Sequence, residues 1–132
     1  YEIRLSLVGS EMCIRDSLST DLVVTRNPKD ECLYVFEPDA FNAWVAGVFE
    51  DKFEKFDRTN DLHVRLRRKL KSRAADVSID AAGRIMISAE QREAVGIDKE
   101  VVVVGNTGYF EIWDAKRYDA VDDETDLGLL FD

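Results

Sequence analysis

Apolar residues change their period several times along the chain, and each change marks a predicted element. Ala75-Asp-Val-Ser-Ile79 alternates like a strand with one buried face, Asp80-Ala-Ala-Gly83 has the composition of a turn, and Arg84-Ile-Met-Ile87 reads as a second strand. Ser88-Ala-Glu-Gln91 is a capping box for a short helix through Val95, which Gly96 stops. Val101 to Val104 is an unbroken β-branched run, the signature of a strand covered on both faces. Pro38 suits a first helical position, and Phe41, Trp44, Val45, Val48, Phe49, Phe53 and Phe56 then recur three and four apart, giving a broad apolar stripe. A second helix is predicted after Asn60, with Leu62, Leu66 and Leu70 on one side and most of its basic residues on the other.

The pattern repeats. Asp21-Leu-Val-Val-Thr-Arg-Asn27 lies over Glu100-Val-Val-Val-Val-Gly-Asn106, Leu33-Tyr-Val-Phe36 over Phe110-Glu-Ile-Trp113, and Pro38-Asp-Ala-Phe41 over Ala115-Lys-Arg-Tyr118. Pro28 in the first copy and Asn106-Thr-Gly108 in the second supply the intervening turns, the first two residues longer. The layout is strand, turn, strand, helix, twice over. In the second copy the strand pair of Ala75 to Ile87 and its short helix come first, so a complete unit is two strand pairs and two helices. The repeat places a counterpart of Asp80 to Arg84 at about the first residue or upstream, and nothing there resembles it. What stands there, Leu7-Val-Gly-Ser-Glu-Met-Cys-Ile-Arg-Asp-Ser17, resembles the translation of a transposase adapter used in preparing sequencing libraries, which sets residues 1–17 aside as foreign. The alternative is a divergent but genuine N-terminal strand containing Ile3, Leu5, Leu7 and Cys13.

With 132 residues the chain is long enough for one core shared by two small units. The expected divisions are 18–58 for the incomplete first unit with its helix, 59–73 for a basic linking helix, 74–121 for the complete second unit and 122–132 for an acidic tail. No apolar run approaches the length of a bilayer span and no leader is evident, so the chain reads as soluble and cytoplasmic. Cys13 and Cys32 lack the partners for a disulfide framework or a metal site, and the foreign-start reading leaves Cys32 as a buried strand thiol. No cofactor or metal is implied.

A net charge of −9 argues against nucleic-acid binding unless positive charge is concentrated somewhere. It is. Arg65, Arg67, Arg68, Lys69, Lys71 and Arg73 follow one another with no acid among them, whereas Asp119 to Asp132 contains five Asp and one Glu and no base. The basic run reads either as a phosphate-contacting surface or as a solvated or subunit-contact face bridging to acids. The tail, with Leu129, Leu130 and Phe131 near its end, reads as a mobile docking segment.

Asp80-Ala-Ala-Gly-Arg84, followed by Ile-Met-Ile and a capped helix, resembles the D-x-x-G-R segment of MraZ proteins, which have a swapped-hairpin, AbrB-like fold. The resemblance extends from about Leu18 to Tyr118 and takes in the Val-rich strand, the Gly105-Asn106 turn and Phe-Glu-Ile-Trp113. It implies an α+β fold in which two hairpin-plus-helix repeats form a small pseudo-symmetric β-barrel, with two longer helices between them. It also implies a sequence-specific, nucleoid-associated DNA-binding regulator of the bacterial division and cell-wall gene cluster, assembled as a homo-oligomeric ring on promoter repeats. Arg84 would contact DNA, Asp80 would fix the turn, and Gly83 would permit the tight backbone before it.

The chemistry of these residues agrees with that role. A guanidinium presents a planar fork of donors matched to guanine or phosphate and stays charged near neutrality. The bland alternative is a surface hairpin in which Asp80 and Arg84 merely pair. An enzyme is not indicated: His63 stands alone among helix charges, and Asp76 and Asp80, four apart across a strand end, make an unconvincing carboxylate pair. Neither a small-molecule substrate nor a membrane partner is expected. The competing function is an AbrB-like antitoxin or oligomeric interaction module without direct DNA readout.

Overall fold

A computed structural model describes residues 2–4, 21–29, 31–80, 83–106 and 108–131. The elements are α+β in composition. Strand β1 (Glu2–Arg4) is followed by the hairpin β2 (Asp21–Arg26) and β3 (Leu33–Phe36), then helices α1 (Pro38–Phe53) and α2 (Asp61–Ser72). Next come β4 (Ala75–Ser78), β5 (Arg84–Met86) and the short helix α3 (Ala89–Ala94), then the hairpin β6 (Val101–Asn106) and β7 (Tyr109–Asp114), and helix α4 (Ala115–Glu124). Five strands make one antiparallel sheet in the order β4-β2-β3-β7-β6, and β1 pairs with β5 in a separate ladder. The two hairpins are thus joined through β3 and β7, each hairpin leading into a helix. The sheet is an open ladder ending at β4 and β6, and the expected barrel closure is not among the described pairings.

Alternation along the strands explains the two-sided core. Leu22 and Val24, Leu33 and Val35, and Phe110 and Ile112 point to one face, where they pack with Ile85, Ile87, Val95 and Ile97. Val23, Tyr34, Phe36 and Tyr109 point to the other face and meet Phe41, Trp44, Val45 and Phe49 of α1. Aromatic rings dominate that second layer: Phe36 lies 5.3 Å from Trp44 and 5.1 Å from Tyr109, and Tyr34 lies 4.7 Å from Tyr109, centroid to centroid. Helix α4 uses the same face further along, with Tyr118 edge-on to Trp113.

Several expectations are met and several are corrected. Pro38 does occupy the first turn of α1, Asn60 caps α2 by accepting from the amides of Leu62 and His63, and β4 is a half-buried alternating strand. The capping box at α3 is half formed. Ser88 accepts from the Gln91 amide, but the Gln91 side chain donates to the Val24 carbonyl at 2.9 Å and so ties α3 to the sheet instead of returning to Ser88.

The Val101 to Val104 run is not covered on both faces. Val101 and Val103 pack on the core face, whereas Val102 and Val104 on the opposite face are only partly covered, and β6 is the sheet edge among the described strands. α2 keeps Leu70 against the α1 layer but leaves the rest of its leucine row outside. Its buried residue is His63, which accepts the Asp57 amide at Nδ1 and stacks 4.2 Å from Phe53, while Leu62 and Leu66 are 56% and 40% exposed. The ring displaces the leucines because its nitrogen supplies the loop after α1 with an acceptor, which no aliphatic side chain offers. Phe56 lies beyond the end of α1, where the Arg67 guanidinium covers its ring at 3.8 Å. The acidic end carries two elements: α4 runs to Glu124, started by Asp114 accepting from the Arg117 amide, and a 3-10 turn spans Leu127–Leu130. The segment read as foreign lies outside the described residues except for β1.

Cys32 is fully buried, one residue before β3, and burial pushes its thiol well above the ordinary value, with Glu111 and Glu31 adding to the shift. Burial likewise raises Tyr34 and Tyr109. A raised folded-state pKa means that the unfolded chain releases the proton first. Stability is therefore intact below the unfolded thiol value of about 8.5 and falls as pH rises beyond it. Urea midpoints measured from neutral to alkaline pH are expected to decline from that point, and Cys32→Ala should remove the first part of the slope. Native Cys32 should resist iodoacetamide until urea unfolds the chain; rapid native alkylation of Cys32 itself, told apart from Cys13 by peptide mass, would contradict this burial.

Candidate nucleic-acid interface

β4 belongs to the main sheet and β5 to the layer beneath it, so the chain must reverse between them in a few residues. Asp80 organises that reversal. Its amide donates to the Arg84 carbonyl at 2.9 Å, its carbonyl accepts from the Gly83 amide at 3.0 Å, and its Oδ1 accepts from the Arg84 amide at 2.9 Å. Its second carboxylate oxygen, Oδ2, accepts from Arg84 Nε at 2.9 Å. One acid therefore closes the turn by its backbone and grips both the amide and the guanidinium of Arg84 by its side chain.

Gly83 has φ of +79°, in the left-handed region, and a Cβ there would meet nothing within 4 Å. The glycine is required by backbone conformation and not by crowding. The two intervening alanines lie outside the described residues. The three residues singled out from the sequence, Asp80, Gly83 and Arg84, are thus brought together at one bend, with the Arg84 and Asp80 side chains 48% and 45% exposed. Beneath them Ile85 and Ile87 are buried in the core, and Met86 between them is 60% exposed, so the strand that carries Arg84 is anchored on alternate residues.

Other arginines have different work. Arg117 donates to the Val95 carbonyl at 2.9 Å and to the Glu31 carbonyl at 3.4 Å, linking the α3 turn to the first hairpin. Arg92 donates to the carbonyls of Ile97 and Asp98 at 3.1 and 3.0 Å, closing the loop after α3. Neither clamp is legible in the sequence, because the acceptors are backbone atoms distant from any motif. Of the basic run, Arg67 covers Phe56 and Arg73 reaches the Asn27 carbonyl at 3.5 Å, whereas Arg65, Arg68, Lys69 and Lys71 are exposed. Among the described residues no three His, Cys, Asp or Glu side chains gather as metal ligands. No described helix is long and apolar enough to cross a membrane.

Comparison with known proteins points the same way as the turn. Residues 70–129 match a family model described as "MraZ protein, putative antitoxin-like". The chain is 34% identical to a protein named "Transcriptional regulator MraZ" from Paraburkholderia phytofirmans over 110 residues, covering 80% of this chain and 71% of that protein. The protein of that name from Paraburkholderia xenovorans is 36% identical over the same extent, again 80% of this chain and 71% of its own length. The one from Burkholderia mallei is 38% identical over 102 residues, 75% of this chain and 63% of its own.

Replacing Gly83 by Ala should cost about 1 kcal/mol, the usual penalty for a β-carbon in left-handed backbone, whereas Asn should cost less. Urea denaturation of the two variants measures this. Equal stability of wild type and Gly83→Ala would mean that the bend does not hold the positive φ.

Proposed function

The chain belongs to the MraZ family, and from that premise we propose that it is a sequence-specific DNA-binding transcription regulator in which Arg84 meets DNA. The observation that carries this reading is the Asp80 to Arg84 bend: a half-exposed guanidinium, fixed by its own amide and Nε to one carboxylate, on a strand anchored in the core. Asp80 and Gly83 shape the bend and Arg84 makes the contact. In this reading residues 18–58 are an incomplete first copy and 74–121 a complete second copy of one unit, which together form a small pseudo-symmetric barrel, joined by the helix of 59–73 and followed by the acidic stretch 122–132. The protein acts in the cytoplasm, on the nucleoid, at promoter repeats of the division and cell-wall gene cluster. It acts as a homo-oligomeric ring, which lets a chain of net charge −9 bind a polyanion because several copies of one cationic bend act together.

A second reading is favoured by the words "antitoxin-like" in the matched family model. There the hairpins serve subunit or toxin contacts and Arg84 simply pairs with Asp80. Light scattering separates the two, since an antitoxin of this kind is a dimer and the first reading expects a larger closed assembly.

Arg84→Ala should weaken binding to the upstream DNA of the protein's own gene cluster by about tenfold or more per bend that touches a base, and Arg84→Lys should restore little of it. Asp80→Asn keeps an acceptor for the Arg84 amide and should lose less affinity than Asp80→Ala, although both remove the same negative charge. Fluorescence anisotropy on labelled duplexes reads all four variants, and unchanged affinity in Arg84→Ala would remove the basis of this function.

A further inference from the structure

Two surfaces of the chain are left over by the fold and complement one another. The first is the C-terminal end, where Leu127, Leu129, Leu130 and Phe131 are 69 to 83% exposed and follow the acids Asp122, Asp123, Glu124 and Asp126. The second is a flank of α2. Leu62 and Leu66 stand one helical turn apart and are exposed, and Arg65 and Lys69 lie on the same flank. Among the described residues neither Arg65 nor Lys69 has an acidic partner, and none of the four acids has a basic one.

Single exposed apolar residues are ordinary, but an apolar row edged by one charge on the helix and an apolar row preceded by the opposite charge on the tail are matched in both respects. They are also carried by different parts of the fold, since α2 packs on α1 and α4 packs on β6 and β7.

We infer that the segment from Asp122 to Phe131 of one copy docks on the Leu62–Leu66 flank of α2 in a second copy, leucine against leucine and carboxylate against Arg65 and Lys69. The contact joins two unlike patches, so it is heterologous. Repeated head to tail it closes into a ring whenever the rotation per subunit permits. The inference rests on the assembly part of the function proposed above and is independent of the DNA contact. It also assigns roles to the two charge blocks that the Asp80 to Arg84 bend does not use.

Two charge-reversed variants of the full chain test this: Arg65→Glu with Lys69→Glu on the helix, and Asp123→Lys with Glu124→Lys on the tail. All four positions are exposed, and circular dichroism with thermal melting checks that each variant folds like the wild type. By sedimentation velocity each variant alone should need on the order of tenfold or more protein to assemble than the wild type does. High salt should weaken the wild-type assembly in the same direction. Mixing the two variants should restore assembly, because each reversed patch then meets its complement and each unreversed patch does too. Wild-type assembly by both single variants would overturn this contact, and if Arg84→Ala still weakened DNA binding, the functional reading would stand without it. Loss of assembly that mixing does not rescue would also overturn it. A wild type that sediments as one protomer at every concentration would remove both this contact and the ring.

Discussion

The pairing of β3 with β7 is the constraint on which the remainder of the structure depends. Leu33 faces Ile112 and Val35 faces Phe110 across it, all four of them buried, and it is the sole strand contact that joins the first hairpin to the second among the described residues. Strand alternation propagates its effect to both layers. The even-numbered residues of β7 and the odd-numbered ones of β3 build the floor under β5, while Tyr34, Phe36 and Tyr109 build the aromatic seat for α1. A slip of β3 by one residue would exchange its two sets, putting Tyr34 and Phe36 under β5 and Leu33 and Val35 under α1. Each large side chain in such a place contributes about 2 to 5 kcal/mol, against a total of about 5 to 15 for a domain, so the register is held by a large share of the available stability.

That chain of support ends at the Asp80 to Arg84 bend. Ile85 and Ile87 fix β5 to the floor, and β5 fixes the position from which Arg84 projects. The bend itself contributes little stability, since an exposed Asp–Arg pair is worth about 0 to 1 kcal/mol. Its hydrogen bonds serve geometry. The same carboxylate that holds the Arg84 amide also holds its Nε, so side chain and backbone are oriented together. The price is local neutrality, and on the proposed reading the guanidinium acts on DNA with a carboxylate beside it.

Element types were legible in the sequence wherever one periodicity ran uninterrupted: the alternation of Ala75 to Ile79, the helix opened by Pro38, and the cap at Asn60. The candidate bend was legible as well, because Asp, Gly and Arg at that spacing each bring a distinct local property. What sequence reasoning misplaced depended on neighbours. Val101 to Val104 has the composition of a central strand but lies at an edge, and edge position is a property of the sheet. On α2 the buried position goes to a histidine although leucine outranks it by hydrophobicity, because His63 Nδ1 satisfies the Asp57 amide and its ring stacks on Phe53. Gln91 likewise fits a capping box by sequence, and the Val24 carbonyl 67 residues away takes its side chain instead.

The magnitudes also bear on why assembly and readout belong together in the proposed function. One guanidinium making a bidentate base contact discriminates by about 1 to 3 kcal/mol, while specific regulators exceed their own non-specific binding by about 4 to 10. A single bend therefore falls short, and the net charge of −9 makes the remaining surface a poor source of phosphate contacts. Direct contact of the exposed α2 cations with phosphate would add affinity but leave that gap open, because phosphate carries no sequence information. If they bind the acidic end of a neighbour instead, as their matched apolar row favours, they raise affinity by multiplying bends along the DNA, with each further bend binding at a high effective concentration. The two routes differ in their salt response. Phosphate contact by α2 lowers the affinity of a single protomer as salt rises, whereas subunit contact lowers the number of bends that act together, so the loss follows disassembly.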